Sequence, residues 1–499
     1  MTALKKHQAL SADWDEREKL RDKGQFWTPS WVADAMVAYV LDEQEREVFD
    51  PATGRGAFLE ALTRLDKTGI RFLGTDIDPE CLADPIYQDT RCKVEIRDFI
   101  KSPPARKFQS IVANPPYIRH HRIDGETKSF LRQLCARITG FTIDGRAGYH
   151  IHFFLQALSL LKSGGRLAFI MPADTCEGTF AKKLWHWISK KYCIECVITF
   201  EEGATPFPDV DTNALVFLIR NSAPAREILW IKAHQAYSPD LLHFVQSGLK
   251  GSFKSLSPQR RSLEEALKTG LSRPEQNHNL FKYKLRDFAK VMRGIATGAN
   301  DYFFLTRQQC KELHLPNEIL KAAIGRTRDV SGDRISIDDI EKLDRENRPT
   351  LLLCVDSQHQ LLSSVKKYLK EGEKRGLHER ALIKQRRPWY KMEQRKVPPL
   401  LFAYLGRRNS RFIKNEAGIV PLTSFLCVYP ICEDEAYVHK LWMALNHPDT
   451  IANLKLVGKS YGSGAIKVEP RNLDLLSIPE HLVEEFQLSV DLPLFSSHK

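Results

Sequence analysis

At 499 residues the chain is too long for one ordinary core, so two or more domains are expected. Its 74 lysines and arginines against 62 aspartates and glutamates leave a formal charge of +12, which favours an anionic partner, nucleic acid first. A charged N-terminus without a signal-peptide core argues against secretion, and no apolar run is long enough to span a bilayer. The ten cysteines form no framework. Cys193-Ile194-Glu195-Cys196 is the one C-x-x-C; it lies in an apolar run without a second pair or a nearby histidine. Free thiols in a reducing compartment, and no metal site, are the expectation.

From about residue 26 to residue 220, apolar strands alternate with helical stretches, the pattern of a parallel α/β sheet. Strands are expected at Glu47–Phe49, Arg71–Thr75, Val94–Ile96, Ser110–Ala113, Arg166–Met171, Ile194–Phe200 and Ala214–Ile219. The clearest helix is Phe153–Leu161, closing at Lys162-Ser163-Gly164-Gly165 with a cation and glycines. The pattern breaks at Asn221-Ser222-Ala223-Pro224, which sets a boundary between domains 1–225 and 226–499. The second half reads as a mixed α+β domain.

Chemistry-bearing residues close successive strands. Asp50-Pro51-Ala52-Thr53-Gly54-Arg55-Gly56 follows the first strand and opens a helix, and Gly54 and Gly56 permit a tight turn and a close ligand. The dinucleotide fingerprint has one more spaced glycine, so this turn is weak for NAD. Asp76 ends the second strand, about 20 residues on, where an acid meets ribose hydroxyls. Asp98 follows the third and is placed to accept from an adenine amino group. The fourth stops at Asn114-Pro115-Pro116-Tyr117, where the prolines halt the ladder. An amide oxygen, a free carbonyl and an aromatic ring then meet at one point, a set that suits a planar amine. In an open parallel sheet all these strand ends face one crevice.

The Asn114–Tyr117 loop resembles the catalytic loop of S-adenosylmethionine-dependent amino-methyltransferases. With its order of motifs, the chain resembles a gamma-class DNA adenine-N6 methyltransferase of type II restriction–modification systems. The resemblance implies a Rossmann-like methyltransferase sheet at residues 1–225, followed by a target-recognition domain at 226–499. It also implies S-adenosylmethionine as cofactor and double-stranded DNA as substrate. In that family an element like Gln25-Phe26-Trp27-Thr28-Pro29 holds the methionine moiety, which gives Thr28 that role. Asp50, Gly54 and Gly56 form the cofactor loop, Asp76 takes the ribose, Asp98 the adenine, and Phe153 packs beside the adenine ring. Asn114 and the Pro115 carbonyl receive the target amine. Tyr117 and Phe207, from Thr205-Pro206-Phe207-Pro208, stack the flipped base.

In the second half, Lys384-Gln385-Arg386-Arg387-Pro388-Trp389-Tyr390-Lys391 mixes cations with aromatics. It resembles an Arg-x-Trp-Tyr element of the family's recognition domains, so Arg387, Trp389 and Tyr390 are expected at DNA. Arg293–Asn300 resembles the loop that opens those domains. Gly458–Gly464 resembles another family loop and adds Lys459. A cognate restriction endonuclease and a prokaryotic cytoplasmic, nucleoid-associated setting follow from the same resemblance. Two other readings stand beside it: methylation of RNA or of a protein glutamine, and a methyltransferase-like DNA-binding module without catalysis.

Overall fold

A computed structural model of the chain describes residues 26–41, 45–67, 69–176, 180–208, 213–272, 282–355, 362–403, 410–460 and 466–488. Gln25 and the 461–465 part of the Gly458–Gly464 loop lie outside the described residues, as does the side chain of Lys459. The chain divides into two compact units, Met1–Gln276 and Asn277–Lys499.

The first unit is built on β1 (Glu47–Asp50), β2 (Arg71–Asp76), β3 (Cys92–Ile96), β4 (Phe108–Ala113), β5 (Leu161–Pro172), β6 (Cys193–Phe200), β7 (Ala214–Arg220), β8 (Glu227–Ala233) and β9 (Leu256–Ser262). They form one sheet in the order β3-β2-β1-β4-β5-β7-β6-β8-β9. The run from β3 to β5 is parallel; β7 is antiparallel to both neighbours. Helix α1 (Ser30–Val40) precedes β1, and α2 (Ala57–Arg64), α3 (Gly125–Thr139), α4 (Tyr149–Ser159) and α5 (Ala181–Lys191) lie between the strands in sequence. The inner strands read as near-continuous apolar runs because both faces are covered: Ile111, Val112, Phe169, Phe217 and Leu218 are wholly buried. Phe49 stacks on Phe108 with ring centroids 4.0 Å apart, joining β1 to β4.

Two expectations are corrected here. The boundary expected at 225/226 falls inside the first unit. Asn221–Pro224 is a short connection into β8, which pairs in parallel with β6 and is followed by antiparallel β9. The alternation of Ile228, Trp230 and their neighbours carries the sheet onward, and the wholly buried Arg261 of β9 is held by Glu265 at 2.8 Å. The Lys162–Gly165 stretch is not a helix stop. Helix α4 ends at Ser159, and those residues open β5, where a Cβ at Gly165 would lie 2.7 Å from the Gln109 carbonyl oxygen. The glycine is needed for close strand approach rather than for a cap.

The second unit is mixed α+β, as expected. Residues 289–293, 425–430, 400–403, 411–415 and 334–335 form a five-stranded sheet. A second sheet joins 304–305, 351–353, 320–324 and 420–421. One core gathers Phe402, Phe412 and Trp442; another gathers Tyr302, Phe303 and Leu352.

Candidate active site

The strand order reverses between β1 and β4, and the crevice of an open α/β sheet lies at such a reversal. Here it opens into a cleft of about 1310 Å³ lined from residues 26–30, from the glycine turn after β1, and from the ends of β2, β3 and β4. Thr28, Gly54, Asp76, Asp98, Asn114 and Phe153 all line it. These six expected residues, scattered over 126 positions of sequence, therefore share one cavity.

The glycine turn is tightly specified. Gly54 and Gly56 hold φ of +53° and +80°, the left-handed region that glycine occupies freely. A Cβ at Gly54 would project into open space on the cleft wall, whereas one at Gly56 would lie 2.8 Å from Ile86 Cγ2. Gly54 N donates to Asp76 Oδ2 at 2.8 Å, and Tyr87 Oη donates to the Gly54 carbonyl at 2.9 Å, tying the turn to the neighbouring strand. Gly56 and Asp50 do not line the cleft. Asp50 is fully buried and accepts from Ala52 N at 3.0 Å through Oδ1, while Oδ2 has no hydrogen-bond partner among the described residues. Burial raises its carboxyl well above the usual range, with the Asp76 charge adding to the shift. Asp50 therefore shapes the turn, and the direct contact expected of it is corrected.

Asp76 accepts from Asp78 N at 2.9 Å as well as from Gly54 N, and desolvation raises its pKa despite those bonds. Asp98 accepts from Ile100 N at 2.9 Å and Lys101 N at 3.1 Å. Beside it, Phe153 packs on Phe99 and Tyr149, with centroids 5.2 and 5.5 Å away. Ile77, next to Asp76, is 68% exposed on the cleft wall, an apolar surface suited to a flat ring. Ile77, Tyr149 and Tyr87 were absent from the sequence reading. The first two carry faint signals: an apolar residue after the strand-end acid, and an aromatic four residues before Phe153 on one helix face.

The strand before Asn114 ends as the prolines require. Asn114 Nδ2 donates to the Phe26 carbonyl at 2.5 Å and to Thr28 Oγ1 at 3.1 Å. A carbonyl can only accept, so this contact fixes which way the amide faces. Asn114 Oδ1 takes no hydrogen bond from the described residues, and neither does the Pro115 carbonyl. Asn114 Oδ1 is thus left to accept on a residue of the cleft wall, and the Pro115 carbonyl belongs to the buried residue between two that line it. Tyr117, Phe207 and Phe26 form an aromatic cluster, with Tyr117 to Phe207 at 6.3 Å and nearly perpendicular. The expected pair of rings is brought together, but edge-on and in contact. A parallel slot about 7 Å wide, two stacking distances, is what a base between them needs, so one ring must turn to admit it.

The cleft fits S-adenosylmethionine on its own features. Thr53 Oγ1 is buried at its wall without a hydrogen-bond partner among the described residues, Gly54 leaves open the space a side chain would fill, and acids stand at the ends of β2 and β3.

In the second unit the two sequence motifs meet. Arg386 Nη2 donates to the carbonyls of Ala296 and Thr297 at 2.7 and 2.8 Å, and Gly298 approaches Ile383. Arg387 is exposed and donates to the carbonyls of Lys384 and Arg386. Trp389 differs from expectation. It packs on Tyr302 and Phe303 and donates to Glu373 Oε1 at 3.1 Å, so its ring anchors the segment. Tyr390 is half-buried, edge-on to Trp389. Lys459 sits on a two-residue strand.

Comparison with known proteins agrees with this arrangement. Residues 15–241 match the family described as N-6 DNA Methylase, and residues 271–493 match the C-terminal domain of the type II methyltransferase M.Eco57I. The chain is 26% identical over 493 residues to the type II methyltransferase M.AccI of Acinetobacter calcoaceticus, covering 95% of this chain and 87% of that one. It is 24% identical to M.XamI of Xanthomonas campestris pv. amaranthicola, covering 91% and 85%. Among solved structures it resembles the type IIL restriction-modification enzyme MmeI in complex with DNA, at a TM-score of 0.51 and 12% identity. That likeness covers 93% of this chain but 64% of MmeI, and it bears on fold alone.

Proposed function

The chain belongs to the N-6 DNA methylase family as a type II DNA adenine methyltransferase that uses S-adenosylmethionine, and from that premise we propose a specific assignment of its residues. Asn114 Oδ1 and the Pro115 carbonyl receive the two N–H groups of a flipped adenine amine. An adenine amine is a poor nucleophile because its lone pair is conjugated with the ring. Acceptors on both hydrogens favour a pyramidal nitrogen and release that lone pair. Bound S-adenosylmethionine supplies an electrophilic methyl group. Thr28 holds the methionine moiety and keeps Asn114 in register, Asp76 takes the ribose hydroxyls, and Asp98 with Ile77 and Phe153 takes the adenine. Acceleration then comes from positioning and preorganised dipoles. Tyr117 and Phe207 stack the extruded base, which offsets the few kcal/mol that flipping costs.

The observation that carries this reading is the Asn114 amide, turned by Phe26 and Thr28 so that its oxygen is left to accept. The second unit serves as the target-recognition domain, with Arg387, Tyr390 and Lys459 at DNA. A cognate restriction endonuclease cutting the same sequence is the expected companion, in a prokaryotic cytoplasm. Supplying tritiated S-adenosylmethionine with duplex DNA, ribosomal RNA or a glutamine peptide tests the assignment. Label on the N6 of DNA adenine is the expected result; label on RNA or peptide alone would overturn it.

A further inference from the structure

Immediately after the catalytic loop the chain places four basic residues in a row, Arg119-His120-His121-Arg122, and none of them was used above. They form a single turn that precedes α3, anchored where Tyr149 N donates to the Ile118 carbonyl at 2.9 Å. Arg122 lines the cleft, while Arg119 is exposed; its carbonyl accepts from Arg122 N at 2.9 Å, and its side chain has no hydrogen bond or ion pair among the described residues. The His120 and His121 rings meet edge-on at 5.5 Å. Lys128 of α3 and Arg146 of the segment before α4 also face His120. Two nearby carboxylates are engaged elsewhere, while Glu126 in the first turn of α3 is exposed. Asp144, which faces His120, is paired with Arg146 at 2.8 Å, and Asp124 caps α3 through Thr127 N at 2.8 Å.

We propose that Arg119, His120, His121, Arg122 and Lys128 form a phosphate grip on the DNA strand beside the extruded nucleotide, and that the two imidazoles make this grip proton-linked. The inference rests on the DNA reading above and adds a second contact surface, on the catalytic unit itself. The side chains of Arg119 and Lys128, without an ion pair among the described residues, invite an anion, and a diester phosphate beside the cleft is the anion a flipped nucleotide brings. Partial burial, His121, Lys128 and Arg146 together hold His120 below the ordinary imidazole value, with Asp144 opposing. A phosphate at the turn reverses that balance, so binding takes up protons. Affinity therefore rises as pH falls through the imidazole range and levels off once the free protein is protonated.

Anisotropy of a labelled random-sequence DNA duplex, with full-length protein across about pH 8 to pH 6, tests this. Wild type is expected to tighten by roughly fivefold or more, and H120Q/H121Q to lose that dependence while binding S-adenosylmethionine normally. Arg119→Gln is expected to shorten the slope of log affinity against log salt by about 0.9. A pH-independent wild type, a double variant that keeps the dependence, or an unchanged salt slope in Arg119→Gln would each overturn the grip. Wild type that binds no duplex at any pH would overturn the DNA reading itself, and the grip with it.

Discussion

Asn114 and Thr28, 86 positions apart in sequence, are joined by a 3.1 Å hydrogen bond from the amide nitrogen to the hydroxyl oxygen. That bond connects the segment before α1 to the end of β4. It leaves the amide oxygen as the acceptor that an adenine amine requires.

Asn114→Ala is expected to lower turnover by about a hundredfold or more, the scale for losing one preorganised polar contact in a transition state. Calorimetric affinity for S-adenosylmethionine should change little, because the cleft wall stays intact. Thr28→Val should lower turnover by about tenfold and Thr28→Ser should restore it, since only the hydroxyl orients the amide. Equal activity of Thr28→Val and wild type would remove the positioning role.

The two glycines of the turn should fail differently. Gly56→Ala meets Ile86 Cγ2 at 2.8 Å and adopts φ of +80°, so it should cost the fold about 1–3 kcal/mol. Gly54→Ala finds open space and should cost about 1–2 kcal/mol, but its methyl group stands in the cofactor's place. Thermal denaturation alongside cofactor titration separates the two. Normal cofactor affinity in Gly54→Ala would contradict the cradle.

Much of this site was legible because its residues are punctuation. Glycines, acids and prolines at strand ends are read directly from the order of the chain, and Gly54, Asp76, Asp98 and Asn114 do share one cleft. Asp50 was misjudged because a strand-end acid looks the same whether it faces the crevice or turns inward to cap its own loop. The continuation of the sheet through β8 and β9 was hidden by Pro224, a punctuation mark that proved to be a turn rather than a linker. Trp389 was misread because a tryptophan among cations reads equally as a stacking platform or as an anchor. Only tertiary packing on Tyr302 and Phe303 decides between them.

The buried acid gives a pH signature. The folded-state pKa of Asp50 lies well above its unfolded value, so the folded protein binds that proton more tightly. The favourable contribution is complete below the unfolded value and is lost as pH rises through the folded one. Asp50→Asn removes the charge and keeps an oxygen for Ala52 N. Melting temperatures should therefore favour the variant near neutral pH, with the gap closing as pH falls toward the carboxylate range. A gap independent of pH would contradict the raised carboxyl of Asp50.

Arg386 and Arg387 should separate structure from binding. Arg386→Ala leaves the carbonyls of Ala296 and Thr297 without their donor and should destabilise the second unit by about 1–3 kcal/mol. Arg387→Ala should leave melting nearly unchanged and weaken DNA binding with a reduced salt slope. Normal DNA affinity in Arg387→Ala would take that residue out of the interface.

Methyl transfer to adenine by the Asn114 loop is the reaction from which the residue roles follow. Base-modification sequencing of a methylation-free host expressing either wild type or Asn114→Ala tests it most directly. N6-methyladenine within one short motif is expected for wild type, and unmodified DNA for the variant. Unmodified DNA from a well-expressed, cofactor-binding wild type, or equal modification by Asn114→Ala, would contradict it.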